Sequence, residues 1–494
     1  MKKIPPIIFI ITAFLFSCNS GTEKNTDITP NEVIPSSNQY KYQQMEMIGF
    51  IHFTVNTFTD KEWGFGDEKP EIFNPTKLNA EQWILAAREG GLKELIITTK
   101  HHDGFCLWPS KFTEHCVKNS PYKDGKGDIV KEFVNACRKY GLKIGFYLSP
   151  WDRNHKDYGK PEYIDYYRNQ LKELLTNYGE INEIWFDGAN GGDGYYGGAN
   201  ENRKIDKNTY YEWDKTFALV KELQPNILIF SDAGPDIHWI GNEHGFAGRT
   251  FWSTISSNNI VVGGSDTKYL NMGDPKGNNW IIGQCDVSIR PGWFYHEQQD
   301  SQVKSPQELV DIYYKSVGRN AVLLLNLPPD KRGLIHEKDV ANLKNFKSII
   351  DETFSTNLAL NAKVTSTNFR SKNTYFSPDN ITDNDLKTYW AADESHTTSE
   401  LVIDLIVAKT FDRILIQEPI EFGQRISKFR IWILKNNDEW EQVAEETTIG
   451  YKRLLRIKTI AASIIKIKIE EANNSPGISN FGLFLSSKKE ISNE

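Results

Sequence analysis

The fold turns on Glu183-Ile184-Trp185-Phe186-Asp187-Gly188-Ala189. An apolar run ends on a carboxylate, and a loop rich in glycine follows: Gly191, Gly192, Gly194, Gly197 and Gly198. A buried strand that delivers an acid to the mouth of a parallel α/β fold has this form, because chemistry gathers at the carboxyl ends of such strands. Asp before Gly is also ordinary turn chemistry. The stretch alone leaves Asp187 open between a cap and a reactive group.

Outward from it, short apolar runs alternate with longer amphipathic ones. Strands are expected over residues 48–53, 94–98, 143–149, 183–187, 227–231 and 321–326. Helical periodicity fills 80–90, 129–140, 161–178, 209–223 and 305–318. That alternation means α/β structure, a parallel sheet with helical crossovers. A (β/α)8-type barrel over residues 38–352 follows if the sixth and seventh strands, weakly marked, fall between 249 and 295. A doubly wound sheet fits less well, since no GxGxxG follows the first strand. After residue 352 short alternating runs parted by polar turns predict an antiparallel β-sandwich over 353–494.

At 494 residues, 39% hydrophobic and 25% charged, the chain has the make-up of a globular protein of two domains. Its net charge of -7 comes with no long Lys/Arg run, which argues against nucleic acid as a partner. The 13 Trp and 21 Tyr offer flat faces that suit sugar rings as well as cores. At the start, Met1-Lys2-Lys3 precedes an apolar run and then Leu15-Phe16-Ser17-Cys18. That pattern is too short for a membrane span and predicts an export signal over 1–18. It resembles a bacterial lipoprotein box, with Cys18 lipidated, residues 19–37 a flexible linker, and the protein held at the cell envelope by the lipid alone. A plain signal peptide with an incidental cysteine is the alternative. Cys106, Cys116, Cys137 and Cys285 show no CxxC spacing, so zinc is not expected. Cys106 and Cys116 either pair or stay free.

The strand ends carry the chemistry. The first ends near His52 and leads to Asn56 and Glu62-Trp63, the second in Lys100-His101-His102-Asp103, the third in Tyr147-Leu148-Ser149-Pro150-Trp151, the fourth on Asp187. Converging on one rim, these residues make a polar pocket with aromatic walls. Adjacent histidines at a strand end point to opposite sides and lack metal-ligand spacing. They are read as partners of bound hydroxyls or as parts of a turn. A glycosidase needs a second carboxylate facing the first. Asp232, Asp236, Glu243, Asp286 and Glu297 are the candidates. Glu243 stands out, in Gly241-Asn242-Glu243-His244-Gly245 on a loop past the fifth strand, but spacing does not choose among them. Gln284 to His296 is a dense stretch that either walls the pocket or packs beneath its rim.

Ile51-His52-Phe53, Glu62-Trp63-Gly64, Thr99-Lys100-His101-His102-Asp103-Gly104-Phe105 and Trp185-Phe186-Asp187-Gly188 together resemble glycoside hydrolase family 29, the retaining α-L-fucosidases. Gly241-Asn242-Glu243 and Ser288-Ile289-Arg290-Pro291-Gly292-Trp293-Phe294-Tyr295 resemble its subgroup acting on α-1,3/1,4-linked fucose. Residues from Asn357 through Leu405 resemble a discoidin-type carbohydrate-binding module. The resemblance implies Asp187 as nucleophile and Glu243 as acid/base. It implies His52, His101 and His102 as ligands of fucose hydroxyls, with Tyr147 and Trp185 near the reactive carbon and Glu62, Trp63 and Trp293 around the pocket. Fucosylated glycans are the implied substrates, and neither metal nor cofactor is called for. Gln284 departs from the carboxylate expected there, which bears on recognition of the leaving sugar if that side chain reaches it. A glycan-binding protein with little turnover, or a retaining glycosidase for another sugar, would carry much of the same pattern.

Overall fold

The computed structural model describes residues 28–435 and 438–491. Cys18 and the export segment lie outside the described residues. Parallel strands close into a barrel in chain order. They are β1 Met47–Ile51, β2 Glu94–Lys100, β3 Lys143–Leu148, β4 Glu183–Trp185, β5 Leu228–Phe230, β6 Ile237–Trp239, β7 Ile282–Ser288 and β8 Val322–Asn326. Closure sets Phe50 of β1 opposite Asn326 of β8. The strands are buried nearly throughout, which is why most of them read as apolar runs.

The outer layer holds α1 Ala80–Glu89, α2 Ile129–Tyr140, α3 Glu162–Asn177, α4 Trp213–Leu223, α5 Pro306–Lys315 and α6 Glu337–Thr353. Local sequence sets their ends. For α2, Asp128 accepts the Lys131 amide at 2.9 Å, and Gly141 takes a left-handed φ of 76° at the other end. Between these caps, Ile129, Val130, Phe133, Val134 and Cys137 form the face buried on the barrel. The last helix, α6, has no counterpart among the expected elements. Its buried Leu343, Phe346, Ile349 and Ile350 are a thin stripe in a charged segment.

The two weakly marked strands do not both fall between 249 and 295. β7 does. β6 comes earlier, directly after β5, with no helix between them. It touches β5 through the single pair Phe230 and Ile237 and leans mainly on β7. Three residues carry too little periodicity to announce a strand. Glu243 therefore follows the sixth strand rather than the fifth.

The C-terminal domain is built on an antiparallel sheet of β9 Lys363–Ser366, β10 Ser399–Gln417, β11 Ile426–Leu434, β12 Trp440–Glu446, β13 Arg453–Ala472 and β14 Asn480–Phe484. The order is β9-β10-β13-β11-β12, with β14 also paired to β10. Several short runs in the sequence are pieces of the long β10 and β13, interrupted by bulges. Its own core includes Trp390, Leu401, Phe411, Phe429, Ile467 and Phe481. The stretch expected as a flexible linker is packed from residue 28 onward. Ile28 is buried against Phe376, Tyr389 and Ala391, and the Asn31 amide donates to the Phe422 carbonyl at 2.9 Å. Cys106, Cys116, Cys137 and Cys285 are free and buried.

Gln424 joins the two domains. Its Oε1 accepts from the Ser253 amide at 3.0 Å and from Asn320 Nδ2 at 3.2 Å, and its Nε2 donates to the Phe251 carbonyl at 2.9 Å. A leucine would strand these buried partners. Gln424→Leu is expected to lower the free energy of unfolding by roughly 2–4 kcal/mol, read from the shift of the urea midpoint.

Candidate active site

Strand period places alternate side chains inside the barrel, and those at the carboxyl ends form a pocket of about 330 Å³. His52, Glu62, Trp63, His101, His102, Trp185, Asp187, Glu243 and Trp293 all line it. Tyr147 lies just beneath, fully buried, and reaches the pocket through Asp187. The loop after β6 folds back over the mouth, so Asp187 and Glu243 share one cavity.

Asp187 lies two residues past the end of β4. Its Oδ2 accepts the Tyr147 hydroxyl at 2.9 Å and its Oδ1 accepts the Ala189 amide at 2.7 Å. His102 Nε2 lies 3.7 Å from Oδ2. Under Asp187 the aromatic rings are layered. His101 stacks on Tyr147 with centroids 5.6 Å apart, Tyr147 on Trp185 at 5.5 Å, and Trp185 on Phe230 at 3.9 Å. This ladder spans the ends of β2 to β5 and gives the carboxylate a stiff seat.

The imidazoles are neutral. Burial pushes His52 and His102 down to about 4 against the pull of Asp187, and it holds His101 well below the usual range, helped by the other two rings. Hydrogen bonds choose the tautomers. The Ser149 hydroxyl donates to the Trp151 carbonyl at 2.6 Å, so it accepts from His102 Nδ1–H at 2.7 Å. Asn326 donates through Nδ2 to Ser288 Oγ and to the Trp293 carbonyl, so its Oδ1 accepts from His52 Nδ1–H at 2.9 Å. Nε2 of both rings is left as an acceptor for a hydroxyl.

Glu243 is exposed at the rim, where its Oε2 accepts Trp293 Nε1–H at 3.1 Å. Glu62 accepts the amides of Trp293 at 2.8 Å and Phe294 at 3.3 Å. Trp63 is 53% exposed, edge-on to His102 and Trp151. Two further carboxyls line the pocket, Asp232 and Asp286. Burial and the charge of Asp187 push Asp232 up to about 7, and it lies against Gly188, where any Cβ would collide with it. Burial and the charges of Glu243 and Asp232 hold Asp286 well above the carboxylate range, and its Oδ1 is sealed without a partner. Asp236 and Glu297 stay outside. Asp236 accepts Lys221 Nζ and the Ile229 amide, and Glu297 lines a separate depression.

Gln284 does not reach a leaving sugar. It is fully buried one layer down, accepting Trp185 Nε1–H at 2.8 Å and donating to Tyr42 Oη at 2.6 Å and Glu183 Oε1 at 3.1 Å. The dense stretch it opens splits its roles. Arg290 is buried with Asp339 and Asp300 beneath the rim, while Trp293 faces the pocket. Phe50 and Trp239 also line the pocket and were not singled out from sequence. Phe50 was legible, since it precedes His52 by one strand period. Trp239 ends the unmarked β6.

A parallel barrel that gathers uncharged imidazoles, indoles and several carboxyls at its strand ends is the architecture of a carbohydrate-cleaving hydrolase. The family model described as Alpha-L-fucosidase matches residues 29–351, and an F5/8 type C domain matches 361–482. The chain is 44% identical to Alpha-L-fucosidase 1 of Arabidopsis thaliana over 92% of its own length and 87% of that protein. Its structure resembles a glycoside hydrolase 29 member from an unknown rumen bacterium (43% identity, TM-score 0.84, 93% of this chain and 78% of that one). It also resembles a Ruminococcus gnavus GH29 fucosidase solved in complex with fucose (33% identity, TM-score 0.84, 94% and 98%). The chain belongs to the α-L-fucosidases of glycoside hydrolase family 29, with a discoidin-like domain at its C-terminal end.

The raised Asp232 has a testable sign. An acid whose pKa is higher in the folded state stabilises the fold at acid pH and loses that contribution as pH rises from about 4 to about 7. Carboxyl carbon NMR is expected to give Asp232 a midpoint near 7. In Asp187→Asn, with the neighbouring charge removed, that midpoint moves down.

Proposed function

We propose that the protein is a retaining exo-α-L-fucosidase that releases terminal α-1,3/1,4-linked L-fucose from Lewis-type glycans by double displacement. One observation carries the reading: Asp187 and Glu243 open on the same pocket, each held by an aromatic donor. Asp187 is the nucleophile. Tyr147 fixes Oδ2 and the Ala189 amide fixes Oδ1, so the carboxylate is aimed before substrate arrives. Glu243 donates a proton to the departing glycosidic oxygen and then takes one from the water that opens the fucosyl-Asp187 ester. Its place at the rim suits this, because the leaving sugar must sit outside the pocket.

The rest of the site binds a neutral sugar. Nε2 of His52 and of His102 accepts hydroxyl protons, His101 and Glu62 complete the polar lining, and Trp63, Trp185 and Trp293 supply walls for the ring. Neutral imidazoles beside Asp187 leave its charge available to the oxocarbenium-like transition state. The proposed substrates are fucosylated oligosaccharides or glycoconjugates. With Cys18 lipidated, the enzyme would work at the cell envelope, holding the membrane by lipid alone and no nucleic acid. The F5/8 type C domain is proposed as an accessory glycan-binding module.

The test is hydrolysis of a fucosylated oligosaccharide. Asp187→Ala and Glu243→Ala are each expected to lose activity by about 10²–10⁴-fold, and azide added to Asp187→Gly is expected to give an inverted fucosyl azide. Proton NMR of wild-type turnover is expected to show fucose released first in its α-configuration. Undiminished turnover by Asp187→Ala, or first release as β-fucose, would refute the mechanism. A product screen against α-1,2, α-1,3, α-1,4 and α-1,6 fucosides decides the linkage.

A further inference from the structure

Behind Glu62 stands a side chain that does not itself line the pocket. Both ring nitrogens of His296 face carboxylates: Nδ1 is 2.6 Å from Asp60 Oδ1 and Nε2 is 2.6 Å from Glu62 Oε1. Ionised carboxylates only accept hydrogen bonds, and a neutral imidazole has a single N–H to give. The array is therefore satisfied only with both nitrogens protonated. Beyond Glu62 the chain of contacts continues. Glu62 Oε2 holds the Trp293 amide at 2.8 Å, and Trp293 Nε1 holds Glu243 Oε2 at 3.1 Å. Gly292 is pressed between Glu62 and His296, where a Cβ would lie 2.3 Å from Glu62 Oε1.

We infer that His296, as an imidazolium clamped between Asp60 and Glu62, is a positioning residue that sets Trp293 and through it Glu243, and that its deprotonation governs the loss of activity at alkaline pH. The inference rests on the reading of Glu243 as acid/base. Burial alone would push the His296 pKa down, but hydrogen bonds and charge from Asp60 and Glu62 outweigh it and the value is raised. The clamp is thus intact below that raised pKa and lost as pH rises through it. Among the described residues, the ring's hydrogen-bonded ionisable neighbours are Asp60 and Glu62. Glu297, Asp300, Asp330, Lys331, Arg332, His336 and Glu337 line the depression on the far side of Asp60. Of these, Asp300 is tied to Arg290, and Arg332 to Asp330 and Glu337.

The experiment compares pH profiles of kcat/KM for the full chain on 4-nitrophenyl fucoside, whose leaving group needs little protonation, and on a fucosylated oligosaccharide, whose leaving group needs it. His296→Gln is expected to lose on the order of 10–100-fold on the oligosaccharide, mostly in kcat, with a much smaller loss on the aryl fucoside and no alkaline limb of the wild-type shape. Asp60→Asn keeps an acceptor for Nδ1–H but removes a charge that raises the pKa, so its alkaline limb moves to lower pH. If His296→Gln keeps wild-type profiles on both substrates, the inference fails, even where its melting temperature drops, because the residue is then only structural. An Asp60→Asn limb that does not move also overturns it. Either result leaves the nucleophile reading standing, since azide rescue at residue 187 tests that separately.

Discussion

Trp293 is held at every polar atom it owns, and the rim of the pocket depends on that restraint. Its amide donates to Glu62, its carbonyl accepts from Asn326 and its indole N–H donates to Glu243. These partners come from the loop after β1, the end of β8 and the loop after β6, elements far apart in sequence. Asn326 is itself bound to His52, so one tryptophan, through its carbonyl and its indole N–H, couples the rim carboxylate to a ring on the pocket floor. Loops alone would leave Glu243 free to swing. Tying it to a side chain whose backbone is fixed on both sides gives a rim residue some of the order of the barrel beneath.

The electrostatics of the pocket follow from crowding in a place with little water. Asp187, Glu243, Asp232 and Asp286 line one cavity, and carboxylates so placed cannot all remain charged. Asp232 and Asp286 bind their protons more tightly than an ordinary carboxyl, the first because of burial and Asp187, the second because of burial and Glu243. The histidines are the counterpart. Their burial outweighs the nearby negative charge, so they do not neutralise Asp187 by becoming cations. A site of this kind favours a neutral, hydroxyl-rich ligand over an anion.

The features legible in the sequence are those that a period or a sharp boundary announces. The apolar run through β4 stops at Asp187, two residues past the strand and with glycine behind it, and the residues at the ends of β1, β2 and β3 were placed on the rim because apolar runs stop there. Tyr147, expected beside the reactive carbon, sits beneath Asp187 and donates to it, a depth that no spacing encodes. What stayed hidden was short or nonlocal. β6 has three residues and a single pair to β5, so Trp239 and the true origin of the Glu243 loop were not visible. The packing of residues 28–31 comes from contacts to a domain that begins beyond residue 352, and the polar stretch around them gives no sign of it.

Gln284 shows how such a nonlocal contact dictates a residue type. On β7, Gln284, Asp286 and Ser288 share the inward face one period apart, and they build three successive levels. Ser288 binds Asn326 near the rim, Asp286 lines the pocket, and Gln284 lies in the core. At that lowest level the group must accept from Trp185 and donate to both Tyr42 and Glu183. A carboxylate at 284 would lose the N–H groups given to Tyr42 and Glu183 and would set a second buried acid beside Glu183, which burial already raises to about 8. An amide meets all three demands in one orientation, and through Trp185 it steadies the ladder on which Asp187 rests. The departure from the expected acid fits the barrel's interior, because Gln284 lies below the pocket that Asp286 lines.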